Sequence, residues 1–502
     1  MPVPIITVAQ MREWERATWA SGQTEQAVIA RVGEIAARYA LRLTRVGDTV
    51  LILAGKGHNG DDARLAQPHL NGRRVELINV AEPKAALAPV TAALEHRPAL
   101  VIDGLFGIGL NRPLDADWCR LIQHVNDAAL PVLSVDNPSG LNVESGAVAG
   151  AAIRATVTLT LGAPKHGLFA PGAVSFVGRL KVAPDIGLVK LEAGGRRPEG
   201  GHDPTKEDFG VKSPSFAIPH SSVSAWWTLP EDFTCFPPPR PAGGHKGTFG
   251  HLAVLAGSRG FHGAAVLAAR GAQRAQPGLI TLLPQEDVYA PVASQLQAVM
   301  VRPFETAQSF ENFTAVLAGP GLAAPDLPVS LRNVLTRLWT DFEQPVIVDA
   351  SALDWLPPGE PVPRQAIRVI TPHPGEAARL LRCGVAEVQA DREQAARELS
   401  ARFGGCMVVL KGHQTLVGRA GGDLVVNSSG NPDLAQGGSG DVLAGYLAGW
   451  LAQPAVVATA ADTAVRYAVW QHGAAADELS QERRNWVVED LVERIGDAEM
   501  KR

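Results

Sequence analysis

The chain has 502 residues, too many for one ordinary domain, so two or three are expected. Its 46% hydrophobic and 19% charged residues are those of a folded soluble protein. A net charge of -5 gives no electrostatic reason to expect a nucleic-acid or membrane partner.

Taken from the start, MPVPIITVAQMREWERATW lacks the basic opening and apolar core of a secretion signal. No apolar run anywhere is long enough to span a bilayer. Strands are expected at 50–55, 74–80, 99–107, 131–140, 155–164 and 177–187, most of them near-continuous apolar runs that suit a parallel sheet covered on both faces. Helical stretches lie between them: DDARLAQPHLNG, ALAPVTAALEH and ADWCRLIQHVNDA. This alternation predicts a Rossmann-like, doubly wound α/β domain over residues 1–190. Residues 191–225 lack periodicity and are rich in Gly, Pro, Ser and charge, so a linker or surface excursion is expected there. Over 226–502 a second α/β layer is predicted, with strands at 251–258, 278–284, 314–322, 345–353, 366–376, 406–412 and 414–427, the last two suited to a hairpin. Cys119, Cys235, Cys383 and Cys406 are scattered, with neither zinc spacing nor a disulfide framework, and read as reduced, buried thiols of a cytoplasmic protein.

Polar residues gather at the predicted strand ends of the first half. Gly55 to Gly60 formally match the dinucleotide fingerprint GxGxxG, but Asp61 and Asp62 put carboxylates where a pyrophosphate would rest. Asn59 and Asp62 suit a cation or ligand hydroxyls better. Asp103, Asp136 and Ser139, each beside glycine or amide groups at a strand end, are expected to share a pocket with them, and Lys165 is a further candidate.

AGKGHNGDDARLAQ, VIDGLFGIGLNRPL, SVDNPSGLNVESG and LGAPKHGL, in that order, resemble the NAD(P)H-hydrate epimerase family, the amino-terminal half of bifunctional bacterial Nnr proteins. The resemblance covers about residues 5 to 190. It implies a potassium ion on Asn59, Asp103 and Ser139. It also implies a hydrated nicotinamide nucleotide against His58, Asn59, Gly60, Asp61 and Asp62, against Gly107, Ile108, Gly109, Leu110, Asn111, Arg112 and Pro113, and against Asp136, the candidate catalytic carboxylate of this half. Where the family reads Asn-Asn-Gly-Gly-Asp-Gly, this chain has His58 to Ala63, and Ala30 stands in place of an acid. The added carboxylate at 61 is expected to hinder an anionic substrate.

In the second half, NPDLAQGGSGD runs straight into the apolar segment VLAGYLAGWLAQ. A glycine cluster at a helix start leaves backbone N–H groups unpaired at the positive end of the helix dipole, which suits a phosphate. The amides of Gly438, Ser439 and Gly440 are the expected cradle, and Asp441 the base for a hydroxyl attacking that phosphate. A plain turn capped by Ser439 and Asp441 is the alternative. Asp349 reads as a strand-end cap, and His373 as either a ligand contact or a turn histidine.

HKGTFGHLAVLAGSRGFHGAA, LAGPGL, VIVDASAL, TPHPGE, VVLKGHQTLV and GNPDLAQGGSGDVLAG resemble the ADP-dependent NAD(P)H-hydrate dehydratase family, which has a ribokinase-like fold. The match spans about 236 to 480. It implies that Lys411, Gly412, His413, Gln414, Thr415 and Gly440 contact an adenine nucleotide, and that Ala265, Gly321, His373 and Asp441 contact the hydrated substrate. ADP is then the co-substrate, Mg2+ its companion in this half, and NADHX and NADPHX the small-molecule substrates; relatives of this kind tend to be homo-oligomers. Two rivals stay open. One is a small-molecule kinase of the hydroxymethylpyrimidine or sugar type, which shares the glycine–aspartate anion hole. The other is a dehydratase whose front half only binds a ligand or partner.

Overall fold

The computed structural model describes residues 2–190, 193–194, 218–219, 224–359 and 366–498, and divides into two compact units. Each has its own sheet and core. The expected linker at 191–225 falls almost wholly outside the described residues; Ala225 already belongs to the second unit.

The first unit opens with two helices that the strand-centred sequence reading passed over, α1 (Val8–Ala20) and α2 (Glu25–Leu43). Both have threonine N-caps, and Thr7 forms a reciprocal capping box with Gln10. Then follow β1 (Thr49–Ala54), α3 (His58–Arg64), β2 (Arg74–Asn79), α4 (Pro83–Glu95), β3 (Leu100–Gly104), α5 (Ala116–Asp127), β4 (Val132–Val135), β5 (Val157–Leu161) and β6 (Arg179–Ala183). The strands are parallel, in the order β2-β1-β3-β4-β5-β6. Their direction of winding reverses between β1 and β3, and open α/β sheets bind ligands in the crevice at such a point. DDARLAQPHLNG is not one helix: Pro68 ends it, leaving α3 and a single turn at Gln67–His69.

The second unit contains β7 (Ala225–Trp227), β8 (His251–Leu255), α6 (His262–Arg274), β9 (Leu279–Leu283), β10 (Met300–Val301), β11 (Ala315–Ala318), α7 (Val329–Asp341), β12 (Val346–Val348), β13 (Arg368–Ile370), α8 (Pro374–Leu381), α9 (Arg392–Arg402), β14 (Met407–Leu410), β15 (Leu416–Gly418), β16 (Leu424–Val426), α10 (Ser439–Leu451), α11 (Pro454–Glu482) and α12 (Val488–Arg494). Its strands run β7-β16-β15-β14-β13-β12-β11-β8-β9-β10. They are parallel except at β14-β15-β16, where two antiparallel pairings make a meander. The expected strand at 414–427 is therefore two strands. The winding reverses between β8 and β11.

Every residue of α10 from Val442 to Leu451 is buried, as its unbroken apolar sequence demands. It packs on α6 with backbones nearly touching: a Cβ at Gly445 would lie 1.9 Å from the Ala268 carbonyl oxygen, and one at Gly271 would lie 2.4 Å from that of Val442. This fit fixes where the amino end of α10 emerges.

Arg368 is the buried polar group on which the sheet edge of α7 depends. Its guanidinium donates to the carbonyls of Leu338, Trp339, Phe342, Gln344 and Ile367, including the last-turn carbonyls that a helix leaves unpaired. Burial lowers its pKa to about 10, which still leaves it cationic at neutral pH. Arg368→Met is expected to destabilise this unit by about 3 kcal/mol, since charge-assisted bonds vanish and carbonyls stay buried. Urea unfolding measures this; an unchanged midpoint rejects it.

Candidate active sites of the two units

In the first unit, Asp103 at the end of β3 is fully buried and organises the loops around it. Its Oδ1 accepts from the Ser139 hydroxyl (2.6 Å) and the Leu105 N–H (3.2 Å); its Oδ2 accepts from the Ser134 hydroxyl (2.8 Å) and the Ser139 N–H (2.9 Å). Burial raises its pKa, against the pull of these hydrogen bonds. Ser139 Oγ in turn accepts from the Phe106 N–H (2.9 Å), and Asn59 Nδ2 donates to the Phe106 carbonyl (2.9 Å). Asn59, Asp103 and Ser139 thus meet around one loop, which continues into Gly107 to Pro113. The side-chain amide oxygens (Oδ1) of Asn59 and Asn137 are buried without a hydrogen-bond partner. Such orphaned oxygens are what a hard cation requires. Asp103 itself is saturated by its donors, so its part is charge and geometry.

Asp136 follows β4 with a left-handed backbone (φ 63°), a conformation that aspartate tolerates better than most residues and that recurs at functional sites. Its Oδ1 accepts from Lys165 Nζ at 2.5 Å and from the Leu161 N–H at 3.2 Å. Lys165 is completely buried and also donates to Thr160 Oγ1 and the Leu161 carbonyl. Asp62, on the first turns of α3, is buried too, and its pKa is pushed well up by that burial and by the charges of Asp136, Asp61 and Glu25. The Asp62 carboxyl, pushed up in pKa, thus feels the charge of Asp136, which is ion-paired with Lys165. Glu15 of α1, its pKa also raised by burial, feels the charges of Asp136, Lys165 and His58.

Asp61 does not hang free in the crevice. It pairs with Arg64 Nη1 at 2.6 Å, while the same guanidinium donates to Asn79 and to the Gly55 carbonyl. The expectation that this acid repels the substrate thus meets a built-in counter-charge. His58 has the Glu25 carboxylate 3.0 Å from its Nδ1. Asp61→Gly is expected to leave the rate of this half within about twofold, because the carboxylate it removes is already paired with Arg64 and partly screened by solvent. A tenfold gain would show the acid to be a handicap after all.

In the second unit, four strand ends converge below α10. Asp349 follows β12, Thr371 follows β13, Lys411 follows β14, and Gly319 to Gly321 follow β11. Asp349 sits at the cap position of a helical turn (Ala350–Trp355) but makes no side-chain cap bond, contrary to the reading of it as a strand-end cap. Its Oδ1 instead accepts from Lys411 Nζ at 2.7 Å and from Thr371 Oγ1 at 2.6 Å.

Gly438 caps α10 with a left-handed backbone (φ 99°) and no side-chain bond, so the turn capped by Ser439 and Asp441 is not what forms. Ser439 Oγ donates to the Leu434 carbonyl, and its N–H to that of Gln436 at 3.3 Å. The expected three-amide cradle is thus reduced to Gly438 and Gly440, whose N–H groups have no backbone partner among the described residues. A Cβ at Gly440 would lie 3.4 Å from Lys411 Nζ, which places that ammonium at the helix start. Asp441 occupies the first turn. Burial, with the repulsion of Asp349 and Glu376 and against the attraction of Lys411, raises its pKa to about 7.

Gly321 has φ 66°, and a Cβ there would come within 2.3 Å of the Phe261 carbonyl oxygen, so only glycine fits. Ser258, which the sequence reading missed, donates its hydroxyl to the Gly321 carbonyl at 2.6 Å and holds that turn. Ala265 is buried on α6. His373 caps α8: its Nδ1 accepts from the N–H groups of Gly375 and Glu376, and Glu376 caps it in return. Gly412 and Gln414 turn the Lys411–Thr415 loop with positive φ. Arg392, also missed, braces that loop by donating to the carbonyls of Leu410, Lys411 and His413. His472 of α11 donates Nε2–H to the Ser439 carbonyl at 2.9 Å; burial lowers its pKa to about 4, so it stays neutral. The run TPHPGE carries a capping-box signal that points to Glu376. No local pattern points to His472 or Arg392, which act from distant helices.

Among the described residues no helix is long and apolar enough to cross a membrane. A family model described as NAD(P)H-hydrate dehydratase matches residues 252–497, and one described as YjeF-related protein N-terminus matches residues 25–167. The bifunctional NAD(P)H-hydrate repair enzyme Nnr of Coxiella burnetii is 33% identical over 498 residues, covering 94% of each chain. That of Gloeobacter violaceus is 34% identical over 95% of this chain and 93% of its own. Among solved structures, the ADP/ATP-dependent NAD(P)H-hydrate dehydratase of Bacillus subtilis, co-crystallised with ATP/Mg2+, is 32% identical, with a TM-score of 0.47 over 52% of this chain and 92% of that one. With two relatives a third identical along almost their whole length, and one matched model in each unit, the chain belongs to the family of bifunctional NAD(P)H-hydrate repair enzymes.

Proposed function

We propose that the first unit interconverts the R and S hydrates of NADH and NADPH and that the second dehydrates the S form at the expense of ADP, giving AMP and phosphate. Family membership supports both activities. The observation that carries the second is Asp441 on the first turn of α10, with Lys411 beside the helix start.

The hydrated ring bears a hydroxyl that leaves poorly. Asp441, titrating near neutrality, takes the hydroxyl proton as its oxygen attacks the terminal phosphoryl group. Lys411 and the N–H groups of Gly438 and Gly440 hold the charge that develops on the phosphoryl oxygens. Elimination of the resulting phosphate restores the dihydronicotinamide. Lys411 to Thr415 are the nucleotide loop of this reading, and Ala265, Gly321 and His373 the substrate side. A magnesium ion held by the nucleotide's own phosphates would supply further charge neutralisation.

In the first unit, inversion at the hydroxyl-bearing carbon needs its C–O bond to break and re-form. Asp62, whose pKa burial pushes well up, is the acid for the departing hydroxyl; Asp136, paired with Lys165, is the base for the returning water. The residues around Asn59 fit a potassium ion through the orphaned Asn59 oxygen, with Asp103 supplying the compensating charge and Ser139 the loop geometry. Such an ion would fix the loop at Phe106 and so the wall of the pocket. We read the protein as a cytoplasmic homo-oligomer.

Incubating the full chain with mixed hydrates and ADP or ATP, and following the return of NAD(P)H absorbance, tests the reading. Recovery of both epimers is expected. Recovery of none, with an added hydroxymethylpyrimidine or sugar phosphorylated instead, favours a kinase.

A further inference from the structure

Lys411 and Asp349 form an ion pair inside the second unit, and the Lys411 ammonium lies at the helix start. Asp349 is 1% exposed, and its backbone is fixed on both sides. Its N–H continues the sheet by donating to the Ala318 carbonyl, and Ala350 after it is forced to φ 53°. A Cβ at Gly319 would lie 1.8 Å from the Asp349 carbonyl oxygen, so the neighbouring strand end allows it no shift. The Thr371 hydroxyl holds the carboxylate from the next strand at 2.6 Å. Lys411, by contrast, ends a flexible four-carbon stem, and an ammonium on such a stem costs rotamer freedom to immobilise.

We propose that Asp349 is a positioning residue of the dehydratase: it pins the Lys411 ammonium beside the amino end of α10, where a nucleotide's terminal phosphate is to lie. This rests on the reading of α10 as the phosphate site. Asp349 touches neither nucleotide nor hydrate, and acts through Lys411. Burial alone works against the lysine's charge; the carboxylates of Asp349 and Glu376 outweigh it, and its pKa is raised. Without Asp349 a buried ammonium loses its fixed partner, and it either leaves the pocket or sheds its proton.

A double-mutant cycle on the full chain separates this role from an independent one. ADP affinity is measured by calorimetry with Mg2+ present, for the wild type, Asp349→Asn, Lys411→Met and the double variant. Each single change is expected to weaken ADP binding about tenfold or more, and the double variant to match Lys411→Met within about twofold. Asp349→Asn is expected to raise the KM for ADP and, because Lys411 also holds the charge developing on the phosphoryl oxygens, to lower kcat with it. Wild-type ADP affinity in Asp349→Asn overturns the proposal, and so do losses that multiply in the double variant. If Asp349→Asn does not fold, Thr371→Val carries the test, because it removes one restraint on the carboxylate and keeps both charges. Binding about threefold weaker, and no further loss when it is combined with Lys411→Met, is then expected; unchanged binding overturns the proposal. A wild type that binds ADP but recovers no NAD(P)H sinks the dehydratase reading and leaves the role of Asp349 standing. Normal turnover with unaltered binding in Asp349→Asn sinks this inference alone.

Discussion

Asp441→Asn is expected to lower nucleotide-dependent recovery of NAD(P)H by about 10²- to 10⁴-fold, the usual contribution of a positioned base. The substitution keeps size and shape, so binding of ADP should survive while kcat falls. The wild-type rate should drop as pH falls below about 7, where the raised pKa of Asp441 puts its protonation. Stability should move the opposite way. A carboxyl whose pKa is raised by folding favours the folded state at low pH, and that benefit disappears as pH rises through about 7. Asp441→Asn removes the ionised form from the pocket, so at pH 8 the variant should melt higher than the wild type, a common exchange between function and stability. Full turnover by Asp441→Asn, or an unchanged melting temperature at pH 8, counts against the role assigned to this carboxylate.

Lys165→Met should be the most damaging change in the first unit. It leaves the Asp136 carboxylate buried opposite an alkyl chain, and breaking a buried pair from one side costs about 3–5 kcal/mol. R/S equilibration should vanish with it. In an Asp441→Asn background the second activity is silent, so interconversion of the hydrates can be followed by itself in the full chain. The double variant Lys165→Met/Asp136→Asn should regain much of the stability, because no charge is then stranded, without regaining activity. Activity in Lys165→Met equal to that of its parent rejects the pair as part of the machinery.

The parallel strands were legible because stretches such as VLILAG and TAVLAG are apolar without alternation, and only a sheet covered on both faces accommodates that. The helix after Gly438 was legible for a like reason. What the residues did not announce was partnership. Asp349 looks like a cap in one dimension and becomes an ion-pair partner only when β14 arrives beside it from 62 residues away. Asp61 looks like an intruder until Arg64, one helical turn on, folds back over it. The short strands β7 and β10 went unread because two or three residues carry too little periodicity. Helices α1 and α2 did carry a signal, the threonine caps, and a search for capping residues would have found them.

Each of the two compact units closes its own core and holds its own set of reactive groups. A cell making this chain therefore obtains both catalysts in strict one-to-one supply from a single translation event. Expression noise cannot leave an R-hydrate stranded for want of the isomerase, and no separate regulation is needed to keep the pair matched.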